Sequence, residues 1–296
     1  MTKVRNLAWI CLMLSETLVF ASDVPAWKKM LQDYDAKMRS HEISPLSVVD
    51  AAYLKKGETA YFGTSRKWDP EKPKSGAWVS ASFDGQKISL QSQSGKSLAQ
   101  DLLPVKKMKL DSGLWIAGQS ISSTEVRIKI HDPSHPMLKS FKKLEFYPYS
   151  ANAAVEAKLI LVKPYKKFTF TTVRERTQEF WAVGEVMFRM DGKEVRLPAY
   201  VAEDELKLVK EIFVPFKDPT NGAETYGGGR YVDAEFKTPQ NLENALGEMN
   251  LVVDLNHAYQ PFCAFSKHYN CVRVPGKPIA VAIRAGEKIG THNLKH

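Results

Sequence analysis

The sequence contains few cysteines, no internal repeat and no long apolar run beyond its first 21 residues. Three cysteines occur among 296 residues, so at most one disulfide can form within a chain. No segment after residue 21 is apolar enough to cross a bilayer, which excludes a membrane-spanning helix in the rest of the sequence. Hydrophobic residues make up 44% of the chain, as in ordinary globular proteins, so we expect one large or two small domains.

The first 21 residues have the pattern of an export signal. Lys3 and Arg5 form a basic start, and residues 7–20 are mostly apolar but too short for a comfortable membrane span of about 20 residues. We predict cleavage after Ala21 and a periplasmic or secreted protein. Glu16 is unusual within such an apolar run, and the alternative is an N-terminal helix that the mature fold retains.

The chain is basic, with 42 Lys and Arg residues, 33 Asp and Glu residues and a net charge of +9. An exported basic protein meets anionic envelope surfaces, so an anionic envelope ligand or a small molecule is the expected partner. The lysines are scattered among apolar residues, which is also typical of a solvated basic face. Nucleic acid is not expected, because the sequence has no recognised binding motif. The sequence does not indicate an oligomeric state.

Hydrophobic periodicity predicts one helix followed by many short strands. Between Pro25 and Arg39 the apolar residues fall at helical spacing, which indicates an amphipathic helix. From about Ser47 the period switches to two, and Asp84-Gly85 and Asp191-Gly192 are typical of tight hairpin turns. We therefore predict a mainly β fold of antiparallel sandwich or barrel-like sheets with one N-terminal amphipathic helix.

We divide the chain into a signal peptide at 1–21, an N-terminal helix at 22–46, a β-rich region at 47–163 and a C-terminal β-rich region at 164–296. Within the last region, Ile279–Ile283 resembles a buried strand. Residues 239–247 have the pattern of a short helix that ends at a glycine.

A run of three glycines, residues 227–229, lets backbone amides approach a ligand, and Arg230 places a guanidinium beside them. This arrangement suits a phosphate or a carboxylate. No Lys-Ser/Thr pair follows, so the run is not a nucleotide-binding loop, and the alternative is a bulge or a tight strand crossing. The residues predicted to bind a ligand are Asp218, Thr225, Tyr226, Gly228, Arg230, Asn256, Arg284 and Glu287.

Polar residues also follow the apolar run Leu251–Val253, at what we expect to be the end of a strand. Asp254 is a candidate general base or a group that orients His257, and Tyr259 is a candidate proton donor. These three residues are the predicted catalytic set. The alternative is a structural network in which Asp254 binds backbone amides and Tyr259 packs in the core.

Cys263 and Cys271 are the cysteines that remain after leader removal. An even pair in an exported chain favours a disulfide, which closes a short loop and stabilises the fold by about 2–3 kcal/mol. A zinc or copper site that adds His257 and His268 is a second interpretation, and a nucleophilic Cys263 is a third. No cofactor is predicted, with such a metal as the alternative.

The residues between Asp218 and Lys288 resemble an uncharacterised family, the domain of unknown function 1684. The matching positions are Asp218, Thr220, Gly222, Thr225-Tyr226-Gly227, Gly229-Arg230, Asp254, Asn256, Ala258-Tyr259, Pro261, Cys263-Ala264-Phe265, Cys271 and Ala285-Gly286-Glu287-Lys288. The similarity extends more weakly through the middle of the chain, where His131-Asp132-Pro133 and Asp191-Gly192 also match.

Two positions depart from the family pattern: Phe262 replaces a proline, and Val272-Arg273-Val274 replaces a proline-rich run. The resemblance implies a bacterial source, and it implies no reaction. Two hypotheses about function therefore stand. The first is an envelope-associated ligand-binding or structural protein. The second is an enzyme, such as a hydrolase that uses the predicted catalytic set, with metal handling by the cysteines as a further alternative.

Overall fold

The computed structural model describes residues 24–99, 102–103, 106–121, 124–202, 206–291 and 293. The predicted signal peptide lies outside the described residues. The α-helices are α1 (Val24–Met38) and α2 (Pro136–Ser140). The strands are β1 (Val48–Lys55), β2 (Thr59–Phe62), β3 (Trp68–Asp69), β4 (Val79–Phe83), β5 (Ile88–Ser92), β6 (Ser97–Ala99), β7 (Lys107–Lys109), β8 (Trp115–Ser120), β9 (Glu125–His131), β10 (Glu145–Phe146), β11 (Ala154–Thr171), β12 (Thr177–Met190), β13 (Lys193–Ala202), β14 (Val209–Phe216), β15 (Arg230–Gln240), β16 (Glu248–Asp254) and β17 (Glu287–Lys288).

Helix α1 confirms the predicted amphipathic helix. Pro25 lies in its first turn, where its missing N–H costs no hydrogen bond. Met38 is fully buried at the other end. The Tyr34 ring meets Phe146 of β10 and Phe262 at centroid distances of 6.4 and 6.3 Å. The helix therefore docks through its apolar side. No helix in the described part of the chain is long and apolar enough to span a bilayer.

The N-terminal β-rich region forms two sheets, in the orders β1-β9-β8-β7 and β3-β2-β4-β5-β6. Their alternating apolar residues share one core, which includes Phe62, Phe83, Ile116 and Ile128. The predicted turn at Asp84-Gly85 joins β4 to β5. The Asp84 carboxylate accepts hydrogen bonds from the backbone amides of Gln86 and Lys87 at 2.8 and 2.7 Å, which is why this sequence turns there.

Strands β11 to β16 form a closed barrel. Each strand pairs antiparallel with the next, and β11 pairs with β16. Ile212 and Val214 on β14, with Val232 and Ala234 on β15, are buried in the barrel core, and the residues between them face outward. Closure leaves no unpaired edge in this sheet. The sandwich and the barrel confirm the predicted mainly β, antiparallel fold.

Two local predictions in the C-terminal region were wrong. Ile279–Ile283 forms no strand, because its amides bond to groups at the mouth of the barrel: Ile279 N donates to Lys217 O at 2.9 Å, and Ile283 N donates to the Asp218 carboxylate at 2.7 Å. This segment crosses the end of the barrel and adds its apolar side chains to the barrel core. No helix forms at 239–247, since β15 continues to Gln240 and a turn follows.

Candidate functional site

Arg230 is completely buried where the C-terminal segment crosses the barrel. Its guanidinium donates to the carbonyl oxygens of Ala285 at 2.5 Å and Ile283 at 2.7 Å, and to the Asp218 carboxylate at 3.4 Å. The ring of Phe216 lies 5.1 Å from the guanidinium carbon. This arrangement leaves no surface of Arg230 for a ligand, and it ties the C-terminal segment to the barrel.

Asp218 and Thr225 belong to the same buried turn. The Asp218 carboxylate also accepts from the Thr220 hydroxyl at 2.9 Å, and Thr225 bonds to that hydroxyl at 2.8 Å. Gly229 has a φ of +97°, and a Cβ there would lie 2.8 Å from Phe216 O. The last glycine of the run is therefore set by a close backbone approach. Among its neighbours, Gly228 is exposed and Tyr226 is buried.

Arg284 forms an exposed ion pair with Glu224. Its Nε and Nη2 atoms donate to Glu224 Oε1 at 3.1 and 2.9 Å, and the Tyr147 hydroxyl donates to Oε2 at 3.0 Å. Hydrogen bonds from Arg284 and Tyr147 lower the pKa of the Glu224 carboxyl. Arg284 lies between Ile283 and Ala285, whose carbonyl oxygens accept from Arg230, but its own side chain faces solvent with a partner of its own.

At the end of β16, Asp254 caps a 3₁₀ turn. Its carboxylate accepts from the Asn256 backbone and side-chain nitrogens at 2.9 and 2.8 Å. Asn256 is held further by two hydrogen bonds to the Ser150 backbone. His257 Nε2 lies 4.0 Å from Asp254 Oδ2, which is too long for a hydrogen bond, and this nitrogen is buried without a partner among the described residues. Asp254 therefore acts as a cap and does not orient His257 directly.

The structure does not support the predicted disulfide. Cys263 and Cys271 are free thiols, although they are neighbours: the Cys263 amide donates to Cys271 Sγ at 3.3 Å. The Tyr226 hydroxyl lies 3.9 Å from Cys263 Sγ. The hydrogen bond from Cys271 lowers the pKa of the Cys263 thiol, whereas that same bond, together with burial, raises the pKa of Cys271. No group of three or more metal-ligating side chains occurs in the described part of the chain.

An open cavity of about 780 Å³ separates α1 from the outer face of β14 and β15, and we call it the helix groove. Its helix wall consists of Ala26, Lys29, Met30, Asp33, Tyr34 and Lys37. Its other walls are Phe146, Glu211, Asp233, Glu235, His257, Tyr259 and Phe262. The groove therefore combines four aromatic rings with carboxylates, a histidine and a tyrosine hydroxyl.

Tyr259 and Asp233 form the polar centre of the helix groove. The Tyr259 hydroxyl donates to Asp233 Oδ2 at 3.2 Å. Burial, and then the charge of Glu211, raise the pKa of Asp233 to about 6. Burial and the Asp233 carboxylate raise the pKa of Tyr259, so the hydroxyl keeps its proton. Near neutral pH, the Asp233 carboxyl can therefore accept a proton, and the Tyr259 hydroxyl beside it remains a hydrogen-bond donor.

Glu287, a predicted ligand-binding residue, lies beneath α1 with no exposed surface. One carboxyl oxygen accepts from Gln260 N at 2.8 Å, and the carboxyl also interacts with the Tyr34 hydroxyl. Burial raises the pKa of Glu287 to about 8. Burial, and then the Glu287 charge, raise the pKa of Tyr34, which places the carboxyl behind a tyrosine of the groove wall.

The predicted residues do not share one site. Asp218, Thr225 and Arg230 form the buried turn, Arg284 is on the surface, and Asp254 and Asn256 cap a helical turn. Of the predicted set, His257 and Tyr259 line the helix groove.

The acidic groove residues Glu211, Asp233 and Glu235 were not among the predicted site residues. The alternation in Tyr231–Phe236 places Asp233 and Glu235 on one face of a strand, which by itself is typical of an ordinary solvated face. The signal that this face meets a helix lies in the tertiary structure.

Comparison with protein-family models shows which family the chain belongs to. Residues 139–288, just over half of the chain, match the model described as "Protein of unknown function (DUF1684)". The chain belongs to this family. The matched region begins in α2 and ends in β17, so it contains the barrel wall of the groove but not α1. The family thus accounts for one wall, and this chain's N-terminal helix supplies the other.

A solved structure is also similar to the chain. The uncharacterised protein from gene locus rrnAC0354 of Haloarcula marismortui, determined by solution NMR, is 31% identical, with a TM-score of 0.41. The similarity covers 51% of this chain and 78% of the other. No curated protein matches the chain.

Proposed function

We propose that the protein binds a small organic ligand in the helix groove. The observation that carries the proposal is a cavity of about 780 Å³ with Tyr34, Phe146 and Phe262 on its walls. Ligand sites are typically clefts of about 300–1,000 Å³ lined by aromatic side chains with a few polar groups that fix orientation. The Tyr259–Asp233 pair supplies such polar groups, since it offers a hydroxyl and a carboxyl at one point.

The buried position of Arg230 favours this site over the glycine run for ligand binding. Its Nη1 and Nη2 atoms already bond to three backbone carbonyl oxygens and to Asp218. A ligand would have to replace these bonds and open the end of the barrel. A ligand can enter the groove without any such rearrangement, because the groove is already open to solvent.

Calorimetric titration with 3-phenylpropan-1-ol tests the proposal, because this neutral ligand needs only the cavity. Ala26→Trp fills the groove from its helix wall, and we expect it to abolish binding. Ala36→Trp is the matched control, since Ala36 is exposed on the same helix and does not line the groove. Equal binding by the two variants, or no binding by the unsubstituted protein, contradicts the proposal.

We further propose that the mature protein starts after Ala21 and acts in the periplasm or outside the cell. In that environment the neighbouring thiols of Cys263 and Cys271 would transfer two electrons and two protons to a small-molecule disulfide, and their own disulfide would form. Mass spectrometry of the protein purified from the periplasm measures both the N-terminus and the thiol count. A retained leader, or two free thiols there, would count against the respective proposal.

A further inference from the structure

Strands β14 and β15 present three carboxylates to the helix groove. Glu211 and Glu235 are direct cross-strand partners, and Asp233 is two residues from Glu235 on the same face. Like charges in directly opposed positions are destabilising in an antiparallel pair. We call Glu211, Asp233 and Glu235 the acidic patch. Its charge is opposite in sign to the net charge of the chain, which is +9.

Three other outward carboxylates of the barrel are paired with cations. Glu248, Glu185 and Glu179 each face a basic residue on a neighbouring strand: Lys158 at 2.6 Å, Arg196 at 3.4 Å and Lys167 at 3.5 Å.

Glu211, Asp233 and Glu235 have no such ion pair in the described part of the chain. The two groove lysines are engaged elsewhere, since Lys29 pairs with Asp33 at 2.9 Å and Lys37 lies 4.8 Å from the centre of the Phe262 ring. Among the described residues, the acidic patch therefore has no ion pair, although these two lysines line the same groove.

Two further features of the groove are suited to a ligand. The rings of Tyr34, Phe146 and Phe262 form a wall beside the carboxylates, and aromatic faces attract both apolar bodies and cations. The imidazole of His257 and the hydroxyl-bearing ring of Tyr259 also line the groove. The groove thus offers apolar contact, negative charge and polar side chains within one cavity.

We propose that the ligand of the helix groove is an organic cation, an amine on an apolar body, whose ammonium group binds at Glu211, Asp233 and Glu235. The inference rests on the proposed function and names its ligand class. It differs from the anionic partner that the net charge indicates, because the local charge of the groove is opposite to the charge of the chain.

Three ligands of one shape test the inference: 3-phenylpropan-1-amine, 3-phenylpropan-1-ol and 3-phenylpropanoate. We expect calorimetry at low salt and pH 8 to show the amine binding about tenfold more tightly than the alcohol, and the carboxylate more weakly than either. The advantage of the amine should shrink at high salt, because salt screens these partly exposed charges.

Paired variants show where the preference arises. The double variant Glu211→Gln/Glu235→Gln should remove most of the amine's tenfold advantage over the alcohol, because Asp233 is then the one carboxylate left in the acidic patch. Glu179→Gln/Glu185→Gln removes the same charge from β12, outside the groove, and should leave the tenfold preference intact.

Alcohol binding without an amine preference would overturn the inference and leave the proposed function standing. Equal loss of preference in both double variants would overturn it too, since the effect would then be one of overall charge. Failure of all three ligands to bind contradicts the proposed function itself.

Discussion

Replacement of Glu287 by glutamine should remove a pH-dependent cost from the folded state. The carboxyl has no exposed surface and lies beside Tyr34. Glutamine has nearly the same shape, and its carbonyl oxygen can still accept from Gln260 N. The substitution therefore changes mainly the ability to ionise.

The pKa values give the direction and size of the effect. Burial raises the pKa of Glu287 from 4.5 to about 8. Between these values the folded protein keeps a proton that the unfolded chain has lost, so the free energy of unfolding falls as the pH rises. The contribution of the protonated Glu287 carboxyl to the free energy of unfolding is fully present below about pH 4.5 and is lost by about pH 8. A shift of this size corresponds to about 5 kcal/mol at 1.36 kcal/mol per pKa unit.

Urea unfolding of the full chain, followed by tryptophan fluorescence from pH 5 to pH 9, measures this difference. We expect the unfolding free energy of Glu287→Gln, relative to the unsubstituted protein, to increase by about 4 kcal/mol across that range. Glu243→Gln is the control, because Glu243 is exposed and its substitution should give a nearly constant difference. A difference for Glu287→Gln that does not change with pH would refute the reasoning.

Three other substitutions test separate parts of the structure by the same unfolding assay. Asp233→Asn should gain stability relative to the unsubstituted protein as the pH rises from 4 to 6, by at most about 3 kcal/mol. The reason is that burial raises the pKa of Asp233 to about 6. A stability difference that does not change with pH would contradict this burial. Arg230→Met should cost about 3–5 kcal/mol, since it leaves Asp218 buried without its cation, and a loss below 1 kcal/mol would contradict the buried pair. Gly184→Ala should cost about 2–4 kcal/mol, because Gly184 has a φ of +149° and a Cβ there would clash with the carbonyl oxygen of Ile160. An alanine that is tolerated would show that β11 and β12 are further apart.

The proposals for the groove and the sulfur pair depend on different groups. Cys263 packs in a cluster with Met38 and Phe265, whereas the acidic residues lie on the outer face of β14 and β15. Oxidation of the thiols and binding of an amine can therefore be measured separately, and failure of one proposal leaves the other testable.

Local features of the fold could be predicted because their causes are local. The helix at 24–38 follows from apolar residues at helical spacing, and the hairpin at Asp191-Gly192 follows from a dipeptide that accepts positive φ. The strand prediction at Ile279–Ile283 was wrong, since an apolar alternation does not reveal which groups its amides will meet.

The candidate site was harder to predict because its members are brought together by strand register. Glu211 and Glu235 are separated by a long loop in sequence, and their opposition depends on the pairing of β14 with β15. Arg230 was expected to face a ligand because it follows three glycines, but the crossing of the C-terminal segment buries it. Sequence patterns report the spacing along a strand and do not report what covers the strand.

The sequence by itself determined the mainly β class, the N-terminal helix and the family resemblance in the C-terminal region, because periodicity, turn dipeptides and motifs are properties of neighbouring residues. The tertiary structure decided that Glu287 is buried behind Tyr34 of α1, and that an acidic cavity with aromatic walls remains between α1 and the outer face of β14 and β15. Those features depend on contacts between distant segments, and such contacts form only when the barrel closes and the helix docks against it.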